Sequence, residues 1–388
     1  MLELKRPTTT RRKLLIGALA LAATATGGLG GPAAASARGH EDNAFRQVNL
    51  ASDLAGLAPL TDPDVRNPWG IAFGPATPLW VNNEFSDSIT LYSGANGVAA
   101  FRKLDLRVTA SSPFGIVFNP TNSFVIKQNG VKQPARFIFN EAFAPNEQTP
   151  PTARLTAWTN AGNPPPTTTV IKATKPASLQ FGLALVPGEK GKDGKGNRGP
   201  RLLAADGING VIDVYDSKFH KVKSDGLFVD PNSTGLAPPY NVMFIKGRVY
   251  VTYAAPEPGS TSAVSVFKPD GRFIKRLVTD GPLAGPWGMA IAPEDWGEFG
   301  GALLVGNVED GKINAFNRRN GRFLGTISDA HGMPLVNLGL WGIAFGNGVI
   351  GTPNTLIFAA GIGAEVAGQI EGVYEHGLIG LIEPDEKR

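Results

Sequence analysis

The 388-residue chain contains no cysteine. That excludes a disulfide framework, thiol chemistry, haem attachment through cysteine and a lipoprotein anchor. Histidine is nearly as scarce, with only His40, His220, His331 and His376. No Gly-x-Ser-x-Gly nucleophile elbow, His-Glu-x-x-His zinc helix or dinucleotide-binding glycine fingerprint occurs. Long apolar runs are also missing. The longest, Leu14 to Leu29, is diluted with Gly and Thr and is short of the ~20 strongly apolar residues that cross a bilayer.

The formal charge of +4 is misleading as a hint of nucleic-acid binding. Residues 1–37 hold Lys5, Arg6, Arg11, Arg12 and Lys13 against Glu3, and the rest of the chain has 32 basic and 32 acidic residues. No long-range field favours phosphate, so no nucleic-acid partner is expected. Residues 1–37 read as an export signal instead. Thr10-Arg11-Arg12-Lys13-Leu14-Leu15-Ile16 is a twin-arginine pattern, and Ala35-Ser36-Ala37 is a small-x-small cleavage site. The expectation is export to a periplasm or the extracellular space, with cleavage after Ala37 and no membrane attachment afterwards. Residues 38–44 then form a flexible tail, and 45–388 a single domain.

What the chain has in abundance is a repeated phrase. The clear copies are Pro68-Trp69-Gly70-Ile71-Ala72-Phe73, Pro113-Phe114-Gly115-Ile116-Val117-Phe118, Pro286-Trp287-Gly288-Met289-Ala290-Ile291 and Leu340-Trp341-Gly342-Ile343-Ala344-Phe345. Weaker copies are Gln180-Phe181-Gly182-Leu183-Ala184-Leu185 and Pro239-Tyr240-Asn241-Val242-Met243-Phe244. Their aromatic residues are spaced by 45, 67, 59, 47 and 54 positions. Within each copy large and small residues alternate, the period of a strand. Further short strand patterns follow, separated by turns, in keeping with 49 glycines and 31 prolines. Six such units predict an all-β, six-bladed β-propeller with four-stranded blades. Small residues on the innermost strand let six backbones crowd the axis. Phe45 to Asp53 resembles the outer strands before later copies, and the chain ends soon after a third strand. The N-terminal strand is therefore expected to close the last blade and remove its open edge. Gly188 to Gly199 reads as a surface hairpin and Asn160 to Thr169 as an extended linker.

Pro68 to Phe73, Leu79-Trp80-Val81-Asn82-Asn83 and Ile89-Thr90-Leu91-Tyr92 resemble an NHL-type repeat. With Pro238 to Tyr253 and Gly301 to Phe316, they make the chain similar to an uncharacterised family of secreted bacterial NHL-like β-propeller proteins. Some members of that family carry an exosortase (PEP-CTERM) sorting tail. This chain ends Glu383-Pro384-Asp385-Glu386-Lys387-Arg388, with no hydrophobic tail, so that feature does not carry over. The resemblance implies a fold and an export route but no activity.

Two functions are consistent with these residues. One is a non-catalytic binding or scaffold module for a protein or glycan. The other is a divalent-cation-dependent, lactonase-like hydrolase with its site at a channel mouth. The second rests on positions just after the second strand of each unit, namely Asn83, Glu141, Asp206, Tyr253, Asn307 and Gly361. Asn83, Glu141, Asp206 and Asn307 would offer a ring of hard oxygens to Ca²⁺, and Glu84, Asp87, Glu309 and Glu365 lie on the same loops. The same residue types also serve as local Asx-turn acceptors, which recur naturally from blade to blade. His331 is the one candidate general base. The repeat aromatics read either as a sugar-stacking platform or as packing between blades. Trp296, outside that series, is a candidate partner contact, with a structural role the expected reading.

Overall fold

The computed structural model describes residues 44–143, 152–160, 167–173, 178–188, 198–254, 260–366, 369–371 and 374–385. The expected leader (1–37), nearly all of the tail and most of the Gly188–Gly199 hairpin and the Asn160–Thr169 linker lie outside the described residues.

Each copy of the phrase forms the innermost strand of an antiparallel sheet, and six such sheets form the six-bladed propeller. Blade 1 is built from Pro68–Ala72, Leu79–Asn83, Ser88–Ser93 and Arg102–Thr109. Blade 2 starts at Pro113–Phe118, blade 3 at Gln180–Val186, blade 4 at Pro239–Ile245 and blade 5 at Pro286–Ile291. Blade 6 runs outward through Leu340–Phe345, Leu356–Ala360 and Leu378–Pro384. Phe45–Ser52 then pairs antiparallel with Leu378–Pro384, from Phe45 opposite Pro384 to Ser52 opposite Leu378. The chain's first strand thus closes its last blade, as its pattern predicted. Two additions break the symmetry: Leu60–Thr61 adds a short parallel strand to blade 6, and blade 2 carries a hairpin, Val125–Gln128 with Val131–Pro134.

The core follows the same sixfold logic. One apolar cluster fills each blade boundary. Trp80, Phe137 and Trp158 pack between blades 1 and 2, and Trp296, Phe299, Leu340 and Phe358 between blades 5 and 6. Trp296 is wholly buried, packs on Phe45 in a tilted arrangement at 4.4 Å and donates its indole N–H to the Asn354 carbonyl at 2.9 Å. The structure bears out the structural reading of Trp296 over a partner contact. Its loop position suggested exposure, but the ring pins the start of the closing strand.

Around the axis the glycine of the phrase is required by contact. A Cβ on Gly70 would lie 2.5 Å from the Phe114 carbonyl oxygen, one on Gly288 2.3 Å from that of Trp341, and one on Gly342 2.8 Å from that of Trp69. Each glycine faces the backbone of the next blade's aromatic residue, and the last contact closes the ring. Blade 4 has Asn241 at this position. Its Nδ2 donates to the Trp287 carbonyl at 2.8 Å, so a hydrogen bond replaces the close approach.

Candidate functional site: the axial mouth

The six phrase aromatics, Trp69, Phe114, Phe181, Tyr240, Trp287 and Trp341, converge in one axial cluster in which no residue is more than 9% exposed. Trp69 and Trp341 stack with centroids 3.5 Å apart and planes 13° apart, and Trp287 meets both edge-on at about 6 Å. The rings are consumed by one another, which is the packing role rather than a sugar platform. They fill the axis at the end where the innermost strands begin.

Polar groups tie these rings together. Asn67, wholly buried with a left-handed φ of 44°, donates from Nδ2 to Glu84 Oε2 at 2.6 Å and accepts the Trp341 indole N–H at 3.0 Å. The Trp69 indole N–H donates to the same Glu84 oxygen at 2.9 Å. Glu84, 1% exposed, is thus a buried carboxylate satisfied by two aromatic-layer partners.

The rim is less satisfied. Tyr374 arrives on the segment between the second and third strands of blade 6 and packs on Trp341, centroids 5.8 Å apart. Its φ of +75° is unusual for a bulky residue and costs on the order of 1–3 kcal/mol. The surrounding chain holds it there. Its N–H donates to Gly361 O, Arg66 Nε donates to the Glu375 carbonyl, and Asp53 grips His376 Nδ1 at 2.8 Å and Gly377 N at 2.9 Å. Burial, and then the nearby Glu309, push the Tyr374 hydroxyl up to about 12. Tyr240 is raised well above its ordinary range, by burial first and then by Tyr374, Glu309 and Glu84. Glu309 is exposed as a residue, yet loss of water around its carboxyl, and then Asp310, raise its pKa. Among the described residues Glu309 makes no ion pair, and the Trp287 indole N–H is buried without a hydrogen-bond partner.

The expected ring of oxygen ligands falls differently. The register places Asn83, Glu141, Asp206, Tyr253 and Asn307 opposite the first residue of each phrase, and in blade 6 that place belongs to Ala360, one residue before Gly361. Asp206 accepts from Ser178 Oγ, from the amides of Ile208 and Asn209, and from Asn209 Nδ2. Glu141 accepts from Ser111 N, Thr156 Oγ1 and Thr168 Oγ1, and its burial raises its pKa despite them. Asn83 donates to Thr90 Oγ1 at 2.9 Å and Asn307 to the Pro282 carbonyl at 2.8 Å. These hydrogen bonds are all local, and none joins one of the four residues to another. Among the described residues no group of three or more His, Asp or Glu side chains is placed to hold a metal ion. His331 is exposed in a turn whose amides cap Asp329. Glu365 has its side chain outside the described residues.

Beside the axial rings the structure instead brings Glu84, which accepts the Trp69 indole N–H, and Tyr374, which packs on Trp341. Tyr374 escaped the sequence reading because it lies in an insertion with no counterpart in other units. The only signal was the unusual length between Ala360 and Leu378.

No family model matches the chain. A search of solved structures finds a putative oxidoreductase (glucose dehydrogenase) from Thermus thermophilus, 13% identical, with a TM-score of 0.51 over 87% of this chain and 99% of that one. At that identity the likeness is one of fold alone. In sequence the chain is 30% identical over 312 residues to the uncharacterized protein R648 of Acanthamoeba polyphaga mimivirus, covering 76% of this chain and 72% of the relative. The mimivirus uncharacterized protein L690 is likewise 30% identical over 314 residues, covering 76% and 77%. The chain belongs to the family of these mimivirus proteins.

Proposed function

We propose that the protein is an exported binding module whose axial mouth receives a chemical group of its ligand, whether that ligand is a small molecule, a protein or a glycan. One observation carries this reading. In the closed aromatic cluster at the axis, the Trp287 indole N–H is buried without a hydrogen-bond partner among the described residues. Buried polar groups without partners are costly unless a ligand or water meets them. A thermal-shift screen across ligand classes, run on the wild type and on Tyr374→Ala, tests it. A compound that stabilises only the wild type supports the reading by mass action. Stabilisers that act equally on both proteins would place binding elsewhere. For the export route, the test is N-terminal sequencing of chain recovered outside the cytoplasm, with a start at Arg38 expected.

A second reading, the Ca²⁺-dependent lactonase-like hydrolase, draws on Asn83 Oδ1 and Asn307 Oδ1, which are buried without partners. It ranks lower because Glu141 and Asp206 direct their oxygens to their own blades. It requires a rise in melting temperature with Ca²⁺ over EDTA that Asp206→Ala abolishes.

A further inference from the structure

We propose that an extended, uncharged peptide segment with apolar side chains docks along the outer edge of blade 3, where it completes a sheet that this chain leaves unfinished. The site goes beyond the axial reading and does not depend on it.

In five blades the outer strand runs four to eight residues: Arg102–Thr109, Thr169–Ala173, Phe273–Thr279, Phe323–Thr326 and Phe45–Ser52. In blade 3 it is only Lys221–Val222, which pair with Tyr215 and Val214. The third strand, Val211–Tyr215, therefore has an inner neighbour along its whole length but no outer strand beside Val211, Ile212 and Asp213. After Val222 the chain leaves the sheet and crosses to blade 4. There the Phe228 N–H donates to the Gly271 carbonyl, and Asp230 is held by Arg276 and Ser265. A cleft of about 700 Å³, lined by both the abandoned edge and the crossing segment, is left between them. Ligand sites typically measure about 300–1,000 Å³.

Ile212 presents its peptide groups to this cleft. The Ser224 hydroxyl reaches the Ile212 carbonyl only at 3.4 Å, longer than the ~3.0 Å limit of a good O–H···O bond. In an antiparallel strand the N–H and C=O of one residue point to the same neighbour, and none of residues 223–237 accepts the Ile212 N–H. Ile212 is 3% exposed, so these groups lie at the base of the cleft, where a donor without a partner is costly. An added strand would meet both groups at once.

The side chains select the rest of the ligand. Ile208, Val211 and Val229, three of the large apolar residues that the described chain leaves exposed, line the cleft together with half-buried Leu227 and Leu236. Every charged side chain lining it already has a counterion. Asp213 is bound by Lys221 at 2.5 Å, Asp230 by Arg276 at 2.8 Å, and Lys223 by Asp225 at 3.2 Å. A charged segment would be desolvated there without gaining a partner. A compact apolar molecule would cover the side chains but leave the Ile212 groups unmet, which favours a peptide.

The test uses the full chain and three acetylated and amidated hexapeptides, which alternate threonine with valine, leucine or phenylalanine. Binding is read by calorimetry, and exchange of the Ile212 amide by magnetic resonance on isotopically labelled isoleucine. At least one peptide should bind saturably and slow that exchange. N-methylation of alternate peptide bonds keeps the side chains but prevents strand pairing, and should weaken binding about tenfold, the scale of one or two lost hydrogen bonds. Glutamate in place of the threonines should weaken it similarly. Val211→Asp and Val229→Asp, both at exposed positions, should each cost about tenfold. Val131→Asp, exposed on the blade 2 hairpin, and Tyr374→Ala at the axis should change nothing, which separates this site from the axial one. Equal binding of the N-methylated peptide would overturn strand addition, and equal binding of the glutamate peptide the preference for an uncharged segment. Binding that neither cleft variant alters would overturn the placement. An Ile212 amide already protected in the free chain, or no binding of any of the three peptides at millimolar concentration, would overturn the proposal.

Discussion

Gly288→Ala is the sharpest probe of how the propeller closes on its axis. The added Cβ would lie 2.3 Å from the Trp341 carbonyl oxygen, against an ordinary carbon–oxygen contact of about 3.3 Å. The obstacle is backbone, so no side-chain rotation relieves it. Blades 5 and 6 must part locally by about 1 Å, and a gap of that size forfeits a quarter to a half of the dispersion attraction across it. The cluster that loses contact contains Ala290, Leu304, Leu340 and Ile343. Overpacking of this kind costs about 1–3 kcal/mol, and an immovable carbonyl puts this case at the upper end. Alanine returns about 0.5–1 kcal/mol by restricting the unfolded chain, leaving a net loss of about 2 kcal/mol.

The measurement is thermal or urea unfolding of a series graded by contact. Gly288→Ala should be worst, Gly70→Ala with its contact at 2.5 Å next, and Gly342→Ala at 2.8 Å mildest. The comparison is Gly97→Ala, where nothing lies within 4 Å and only the φ of +81° opposes a side chain, at a cost of about 1 kcal/mol. If Gly288→Ala melts like the wild type, or Gly97→Ala falls further, close backbone approach is not what the repeated glycine provides.

Two further outcomes follow from other contacts. Asn241→Gly should be tolerated better than Asn241→Ala, because glycine restores the close approach used in the other blades while alanine loses the bond to the Trp287 carbonyl without replacing it; paired melting curves decide this. Buried Asp230 is opposed by desolvation, but its bonds to Arg276 Nε at 2.8 Å, Ser265 Oγ at 2.7 Å and the Asn232 amide outweigh that and hold its pKa below the usual range. Its stabilisation is therefore present above the ordinary aspartate value of about 3.9 and is lost as pH falls through the lowered folded value, and Arg276→Ala should cost about 3–5 kcal/mol at neutral pH, seen in urea titrations.

The architecture was legible because the residues that specify it recur. Trp69 and Trp341 are separated by most of the chain, yet each sits in the same phrase, and the identical local pattern placed both at the axis. Phe45 to Ser52 was legible for the same reason, since an outer strand without a preceding inner strand must complete a sheet elsewhere. The site was less legible because repetition carries no information about it. Asn83, Glu141, Asp206 and Asn307 attracted attention through their equivalent positions, and equivalence is what a recurrent structural acceptor produces. Asp206, with two amides of its own loop on its carboxylate, illustrates this. The groups beside the axial rings have no such equivalence. Glu84 follows Asn83 in blade 1 and Tyr374 lies in an insertion of blade 6, so nothing in a single sequence pairs them. Trp296 was legible as structural despite its acidic loop, and its indole packs under Phe45.

A sixfold ring of equivalent blades has no reason to bind anything at its axis, because the aromatic residues that reach the centre satisfy one another. Specificity must enter where the repeat is broken. Blade 4 breaks it at Asn241 and presents Tyr240 instead of Trp or Phe. Blade 5 leaves the Trp287 N–H unpaired, whereas the indoles of blades 1 and 6 reach Glu84 and Asn67. Blade 6 inserts the segment that carries Tyr374, and the loop before blade 1 anchors it through Asp53 and Arg66. These three departures border the same axial aromatic cluster, whereas the Leu60–Thr61 strand and the hairpin of blade 2 break the repeat elsewhere. Their convergence is the physical reason to assign the mouth a ligand, and it makes Tyr374, the residue with the least repeat character, the first to substitute.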